Sequence, residues 1–531
     1  MAETTLTPGS DGPTGEPGAA APDRTEATRH IRGSTVLFAG RMISLGLNLA
    51  TQVLIVRLLT KGQYGIFAYA LAFGPAIRTV ISVGHQEILT RFLSLYEEDR
   101  RYDKLFGTIA MKVLTILSGA AIIFVGLVSL RGYLAGNAID RPEAIALLMV
   151  LMWIAPIEAI DDVFESTFAV FSKPRAIFFR KYVLTPGIRF SFALVLLVVG
   201  GSVHVVAFGY LTASIVGSIA YCVMAWRFFR RQGLLEHLRL RSLVMPFREV
   251  FGFSIPLLST DLIFISMNTL SVILLGHFAG VVHVADYRAV FPMARLNSLV
   301  FATFGLMFTP LATRMFARGD REGMRDAYWH TAVWLAVFTF PVFALTGPMA
   351  SATTVVLFGE RYENAAVLLS ILAVGFYCNA ALGYNSLTLA THGKLSYVVK
   401  VNLAAAAVNI GLAFLLIPRL GALGVVVGNA ITLILQNVLN QIGLGKRVGI
   451  PIFDRSYARP YLIIAGTSIA LAAVQAAADP PLPVSFALVA LASLAVFVAN
   501  RDVLAIGTTF PEVRRIPLLR RLAASPGPAG Q

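Results

Sequence analysis

Charge is scarce in this sequence: Asp, Glu, Lys and Arg make up 14% of 531 residues, while hydrophobic types make up 56%. A water-soluble fold of that length needs far more polar surface to cover its core, so lipid must solvate much of the chain. Cysteine is nearly absent. Cys222 and Cys378 both fall inside apolar runs, where a thiol behaves as a small hydrophobe, and no disulfide framework is implied. The first 33 residues hold no apolar run and are rich in Pro, Gly, Ala, Thr and acids. That composition predicts a disordered tail that stays in the cytoplasm, and it excludes a cleaved secretory signal. Long polar stretches between the apolar runs are missing as well, which leaves no room for a soluble catalytic domain; neither cofactor nor metal is expected.

Formal net charge is +15. In a soluble chain that would suggest nucleic-acid binding, but here the basic residues sit between apolar runs, where they orient membrane spans, so no nucleic-acid partner is expected. A helix needs roughly 20 apolar residues to cross the hydrocarbon layer. Such runs occur near 34–57, 63–90, 108–130, 144–170, 181–200 and 206–226. They resume near 248–275, 284–316, 328–350, 364–391, 397–417 and 422–443, and close with 460–478 and 484–499. The pattern predicts an all-α integral membrane protein with about fourteen transmembrane helices and both termini on one side.

The side holding both termini collects the RFLSLYEEDRRYDK and FSKPRAIFFRK loops, the RFFRRQGLLEHLRLR connection, Arg314 to Arg325, the KRVG segment and an Arg-rich tail. The opposite loops hold only Arg57, Lys61, Arg131, Arg141, Arg288, Arg361 and Arg419. Positive loop residues resist translocation, so the first side is cytoplasmic. The longest connection, 227–247, falls midway through twelve spans and divides the chain into a six-helix lobe at 34–226 and another at 248–443. Two further helices at 444–499 and a basic cytoplasmic tail at 500–531 complete the organisation. The LLEHLRL stretch of the connection suits an amphipathic helix lying on the inner surface. An even number of spans per half makes the lobes parallel repeats about an axis along the membrane normal. QYGIFAYALAFGP and DYRAVFPMARL each place a Tyr at an outer helix start, although their alignment slips within a few residues.

The most informative side chains are charges that lie far from water. Arg41, Arg78, Arg189 and Arg295 fall inside spans 1, 2, 5 and 8. An arginine at a helix centre costs about 2.5 to 3.5 kcal/mol on insertion scales, so four cost about 10 kcal/mol or more unless they face a shared polar cavity. Guanidinium is always charged and its donors form a fork that matches phosphate oxygens, which points to a phosphate-bearing amphiphile as cargo. The competing reading is structural: Arg41 snorkels to the surface and the others pair with carboxylates.

Span 4 supplies such carboxylates in IEAIDDVFEST, where Glu158, Asp162 and Glu165 share a helix face. They either balance the arginines, bind a coupling cation or meet interfacial water. DDVFE also matches, in a single copy, the aspartate-rich element of prenyl-transferring enzymes. Asp261 stands inside span 7, in STDLIFISMN, as a candidate for protonation or for a structural bond to Arg295.

Three stretches carry a resemblance: GSTVLFAGRMISLGLNLATQVLIVRLLTKGQYGIFAYA at 33–70, VVLFGERYENAAVLLSIL at 355–372 and LLIPRLGALGVVVGNAI at 415–431. In this order and spacing the chain resembles the polysaccharide flippases related to the O-antigen flippase Wzx, within the multidrug/oligosaccharidyl-lipid/polysaccharide exporter superfamily. The resemblance implies two six-helix lobes arranged as a V around a central cavity, plus two C-terminal helices. It also implies movement of an undecaprenyl-diphosphate-linked oligosaccharide from the cytoplasmic to the periplasmic leaflet of a bacterial inner membrane. The implied partners are the lipid-linked glycan, membrane lipids, and polysaccharide polymerase and export machinery. Relatives often place an Asp-Arg pair late in the seventh span, where this chain reads MNTLSV with Asn268, so no role of that pair transfers. The alternatives are a multidrug or cation exporter of the same fold, and an intramembrane glycan polymerase, ligase or prenyltransferase. Buried arginines oppose the exporter. The enzymes lack their expected large outer loop or paired aspartate-rich motifs here.

Overall fold

The computed structural model describes residues 24–82, 86–129, 142–237, 243–254 and 265–505. Asp261 lies outside the described residues, as do the last three residues of the LLEHLRL stretch, whose first four, Leu234–His237, form a short 3-10 turn. Among the described residues every regular element is helical, the form in which a segment satisfies all its backbone groups without water.

The first helices are α1 (Arg24–Leu58), α2 (Lys61–Ser82), α3 (Gln86–Glu98), α4 (Tyr102–Ser129), α5 (Pro142–Leu151) and α6 (Ile154–Val170). A continuous run follows, made of α7 (Pro174–Ile177), a π-helical turn at Phe178–Leu184 and α8 (Thr185–Val199), and then comes α9 (Val203–Arg231). The chain continues through α10 (Phe247–Ser254), a π-helical turn at Ser266–Leu270, α11 (Ser271–Ala279), α12 (Val281–Arg295) and α13 (Ser298–Arg318). The remainder is α14 (Arg321–Thr346), α15 (Ala350–Phe358), α16 (Ala365–Ala381), α17 (Asn385–Thr391), α18 (Leu395–Leu420), α19 (Ala422–Arg447), α20 (Ala458–Ala478), α21 (Leu482–Ala499) and α22 (Arg501–Leu504).

Among the described residues, twelve helices are long and apolar enough to cross a membrane. The seventh and eighth expected spans do not add to that number. The seventh runs partly outside the described residues, and the eighth bends at Leu296–Asn297 between α12 and α13. Turns at 99–101, 171–173, 319–320 and 392–394 lie on one face, called here the basic face. Those at 59–60, 200–202, 280 and 421 lie on the other, the far face.

Two sequence expectations are corrected. Arg180 and Lys181, read as loop residues, lie inside the fifth helical run, because the π-helical turn carries helix continuously from Pro174 to Val199. Arg288, read as an outer-loop residue, sits inside α12, since that helix begins already at Val281, right after Gly280 at φ +85°.

Helices α1 to α9 pack on one another, with α8 against α1 and α9, and α6 against α2, α3 and α9. A second group forms around α16, which touches α12, α14 and α19. The groups meet chiefly where α2 packs on α12, close enough that a Cβ on Gly65 would overlap the Val281 carbonyl. Small residues permit such approaches between membrane helices. Helices α20 and α21 lean on α14.

The two groups are polar inside in different ways. The second uses amides: Asn409 Nδ2 donates to Asn429 Oδ1 and Thr432 Oγ1 at 3.0 and 3.1 Å, and Asn429 Nδ2 donates to Tyr287 Oη at 3.0 Å. Asn437 Nδ2 donates to Asn379 Oδ1 at 2.8 Å. The first group uses charge.

Candidate functional site: a charge chamber between two helix groups

Helix α6 presents Glu158, Asp161, Asp162 and Glu165 at i, i+3, i+4 and i+7, which places all four on one stripe. Each meets a cation from α2 or from the fifth helical run. Arg78 donates Nε to Asp162 Oδ2 at 2.8 Å, Nη2 to Asp162 Oδ1, and Nη1 to Glu158 Oε2 at 3.2 Å. Arg189 Nη2 donates to Glu158 Oε1 at 3.0 Å, so one carboxylate bridges two arginines. Lys181 Nζ reaches Glu165 Oε1 at 2.6 Å, and Arg180 pairs with Asp161. Four positive charges therefore meet four negative ones, as burial in a low-dielectric interior requires.

Exposure separates the pairs. Arg180 and Asp161 side chains are 9% and 4% exposed, whereas Arg78 and Glu158 are 38% and 29% exposed. The first pair is a closed structural tie, with Arg180 stacked over the Tyr221 ring at 5.1 Å. The second borders open space. Asp161 and Arg180 were both missed by sequence reasoning, although Asp161 fits the same i, i+3 stripe.

The other two predicted arginines are arranged differently. Arg41 on α1 and Arg295 at the end of α12 are both exposed, one from each helix group. Arg295 lies within electrostatic range of Arg41. Among the described residues no carboxylate pairs with Arg41. At 1.5 Å per residue, Arg41 and Arg78 both lie about 25 Å, and Arg295 about 21 Å, from the far ends of their helices. Arg41, Arg78 and Arg295 thus lie within about one helical turn of one another in depth, while Arg189 joins Arg78 through Glu158. The location of Asp261 relative to Arg295 lies outside the described residues.

Arg288 lies on α12 seven residues nearer the far face than Arg295. Its Nη2 donates to the Asn268 carbonyl, and its own carbonyl accepts from Gln52 Nε2 at 3.4 Å. Asn268 is in the π-helical turn Ser266–Leu270, where the wider spacing frees carbonyls from the helix ladder.

Toward the far face the seam is latched. Lys61 Nζ lies 2.7 Å from Asp286 Oδ1 and 4.8 Å above the Tyr362 ring. Thr269 Oγ1 donates to the Ala72 carbonyl at 3.0 Å. Among the described residues, no group of three or more His, Cys, Asp and Glu side chains could hold a metal ion.

A bundle of membrane-crossing helices with no strand among the described residues, divided by a seam that charged side chains border toward the basic face, defines a polytopic transporter fold. The chain belongs to the family of polysaccharide biosynthesis proteins, whose family model matches residues 30–316. Two solved structures share the fold. One, the lipid II flippase MurJ in an inward closed conformation, aligns with a TM-score of 0.66 at 13% identity, covering 89% of this chain and 99% of that one. The other, an inward-facing multidrug resistance MATE family transporter of the MOP superfamily, aligns with a TM-score of 0.61 at 16% identity, covering 78% and 98%. No curated protein matches the chain in sequence.

Proposed function

We propose that this protein is a flippase, not an enzyme, that moves an undecaprenyl-diphosphate-linked oligosaccharide from the cytoplasmic to the periplasmic leaflet during polysaccharide or lipopolysaccharide synthesis. In this reading the membrane is the bacterial inner membrane, both termini are cytoplasmic, and the basic face is the cytoplasmic one. Residues 34–226 and 248–443 are the two lobes, 444–499 adds two helices, and polymerase and export machinery take the product.

The observation that carries the proposal is the pair Arg41 and Arg295, exposed at similar depths on opposite sides of the seam. Like charges that face each other inside a membrane are costly alone and favourable once an anion lies between them. A diphosphate supplies that anion, and guanidinium forks match its oxygens. Arg78 borders the same depth, held in place by Asp162 and Glu158. The Lys61–Asp286 latch holds the far side shut. A diphosphate lying between arginines of the two lobes attracts both, so the cargo itself biases the lobes toward closure below it and opening above. The polyprenyl tail stays in lipid.

The fold shared with a MATE transporter leaves a drug or cation exporter as the second reading. It is disfavoured because the four acids of α6 each have a cation partner, which leaves that stripe no spare negative charge for a cationic cargo.

The test is reconstitution in liposomes with a fluorescent polyprenyl-diphosphate glycan. Loss of a charge-assisted contact worth about 1.5 to 3 kcal/mol predicts a fall of about 10- to 100-fold in translocation for Arg41→Ala and for Arg295→Ala. Arg78→Ala is expected to fall as well. Wild-type rates in all three would remove the assignment.

A further inference from the structure

A second basic site lies away from the chamber. Where α6 turns into α7 at the basic face, a recess of about 840 Å³ is bordered by Lys173, Arg175, Arg227 and Arg231, with an apolar floor that includes Phe168 and Phe228. A contiguous hollow of about 410 Å³ is lined by Arg227, Arg230 and Arg231. Five cations thus converge on one concavity, and among the described residues no carboxylate lines either part. All five are exposed, and among the described residues none forms an ion pair.

The recess has a fixed wall. Ser172 adopts φ +51°, a left-handed conformation uncommon for a side chain larger than glycine, and the Lys173 amide donates to the Phe168 carbonyl at 2.8 Å. Lys173 Nζ rests 5.2 Å from the Phe228 ring. The opposite wall is the last turn of α9, whose C-terminal carbonyls favour the cations Arg230 and Arg231.

The second helix group repeats this device in weaker form. Gly393, at φ +71°, precedes Lys394 as Ser172 precedes Lys173, and α19 ends in Lys446 and Arg447 as α9 ends in Arg230 and Arg231. The equivalent recess is smaller, about 470 Å³, and Asp320 lines it beside Arg321, Lys394 and Arg447. Cytoplasmic positive charge that only orients spans has no need of a concave apolar floor or of freedom from acids. A phosphate-bearing headgroup with acyl chains has need of both.

We propose that this recess binds the headgroup of an anionic phospholipid, with its phosphate among Arg227, Arg231 and Lys173 and its chains against Phe168 and Phe228. The site is independent of the flippase reading, since it neither lines the chamber nor requires a glycan.

The test uses the full chain in a neutral detergent, titrated with fluorescent phosphatidylglycerol and competed with unlabelled phosphatidylglycerol, phosphatidylcholine, inorganic phosphate or pyrophosphate. The expected result is that only phosphatidylglycerol competes at micromolar levels. Arg227→Gln/Arg231→Gln should weaken binding at least tenfold, and Lys173→Gln/Arg175→Gln similarly. Lys394→Gln/Arg447→Gln should change it less than twofold. Equal losses in all three variants would mean a diffuse field and overturn the site, as would no loss in the first two. Competition by free phosphate as effective as that by lipid would overturn the lipid as ligand. Because the substituted residues are exposed, the variants should melt like wild type without lipid. Should one double variant misfold, the other carries the same test.

Discussion

Arg57 and Arg361 cross the seam in opposite directions. Arg57, in the last turn of α1, donates Nε to the Leu357 carbonyl at 2.8 Å and Nη2 to that of Val356, at the end of α15. Arg361, just beyond α15, donates back to the Val56 carbonyl at the end of α1. Each arginine sits at the end of one helix and satisfies terminal carbonyls of the other, where a cation also meets the favourable end of a helix dipole. The exchange ties the two helix groups at the far face and needs no carboxylate. Replacing Arg361 with Ala removes a charged hydrogen bond across the seam, worth about 1.5 to 3 kcal/mol. Spin labels on the far-face ends of α1 and α15 should report the change: the distance between them should lengthen and broaden with Arg361→Ala. An unchanged distance distribution would show that the far face is held elsewhere.

Gly65 tests the same seam by volume in place of charge. The Cβ of an alanine there would overlap the Val281 carbonyl, which is backbone and cannot rotate away. Gly65→Ala must therefore push α2 from α12, at an overpacking cost of about 1 to 3 kcal/mol. The expected outcome is a lowered melting temperature and a shift toward conformations open on the far face, visible as longer spin-label distances between these helices. A label distance distribution identical to wild type would contradict the close approach.

Hydropathy made most of the spans legible because a bilayer imposes length on each helix separately, a local property. Where the sequence reading failed, the missing information was not local. Arg180 and Lys181 follow Pro174 and look like loop residues until the π-helical turn is seen to continue the helix. Arg288 looks like an outer anchor until its bond to the Asn268 carbonyl draws it inside. The four predicted arginines all fall within helices, but which of them have acids opposite depends on how α2, α6 and α8 rotate about their axes. That rotation separates Arg78 and Arg189, bridged by Glu158, from Arg41. The asparagine ties among Asn379, Asn409, Asn429 and Asn437 carried no warning in the sequence, since amides are tolerated in apolar spans wherever a partner helix supplies bonds.

Asp161 and Arg180 differ in kind from the pairs around them, and substitution should reveal it. Asp161→Asn leaves a buried guanidinium without its counter-charge, which costs about 3 to 5 kcal/mol. Glu165→Gln removes a partner from Lys181, which is 40% exposed and can be solvated, so little stability should be lost. The joint replacement Asp161→Leu/Arg180→Met should recover most of the loss, because an apolar pair of similar volume avoids burying charge. Thermal melting of the purified chain in detergent separates these cases. Equal destabilisation by Asp161→Asn and Glu165→Gln would refute the distinction.

The last two helices offer a prediction in pH. Asp454, in the link between α19 and α20, accepts from Arg325 Nε at 2.9 Å and Nη2 at 2.6 Å, and from the Ser456 amide at 3.1 Å. Burial pushes the Asp454 carboxyl up, but the Arg325 and Ser456 hydrogen bonds outweigh it and hold the group below its usual range. A carboxyl depressed in the folded state contributes stability that is complete above its unfolded value, near pH 4, and is lost as pH falls through the lower folded value. At neutral pH Asp454→Asn should therefore melt below wild type, by a few degrees at most because Arg325 is 49% exposed. The gap should narrow once the pH drops below about 4, and close when the wild-type carboxyl is protonated as well. A gap that stayed constant from pH 7 to pH 3 would show that the Asn variant loses packing and not an ionic bond.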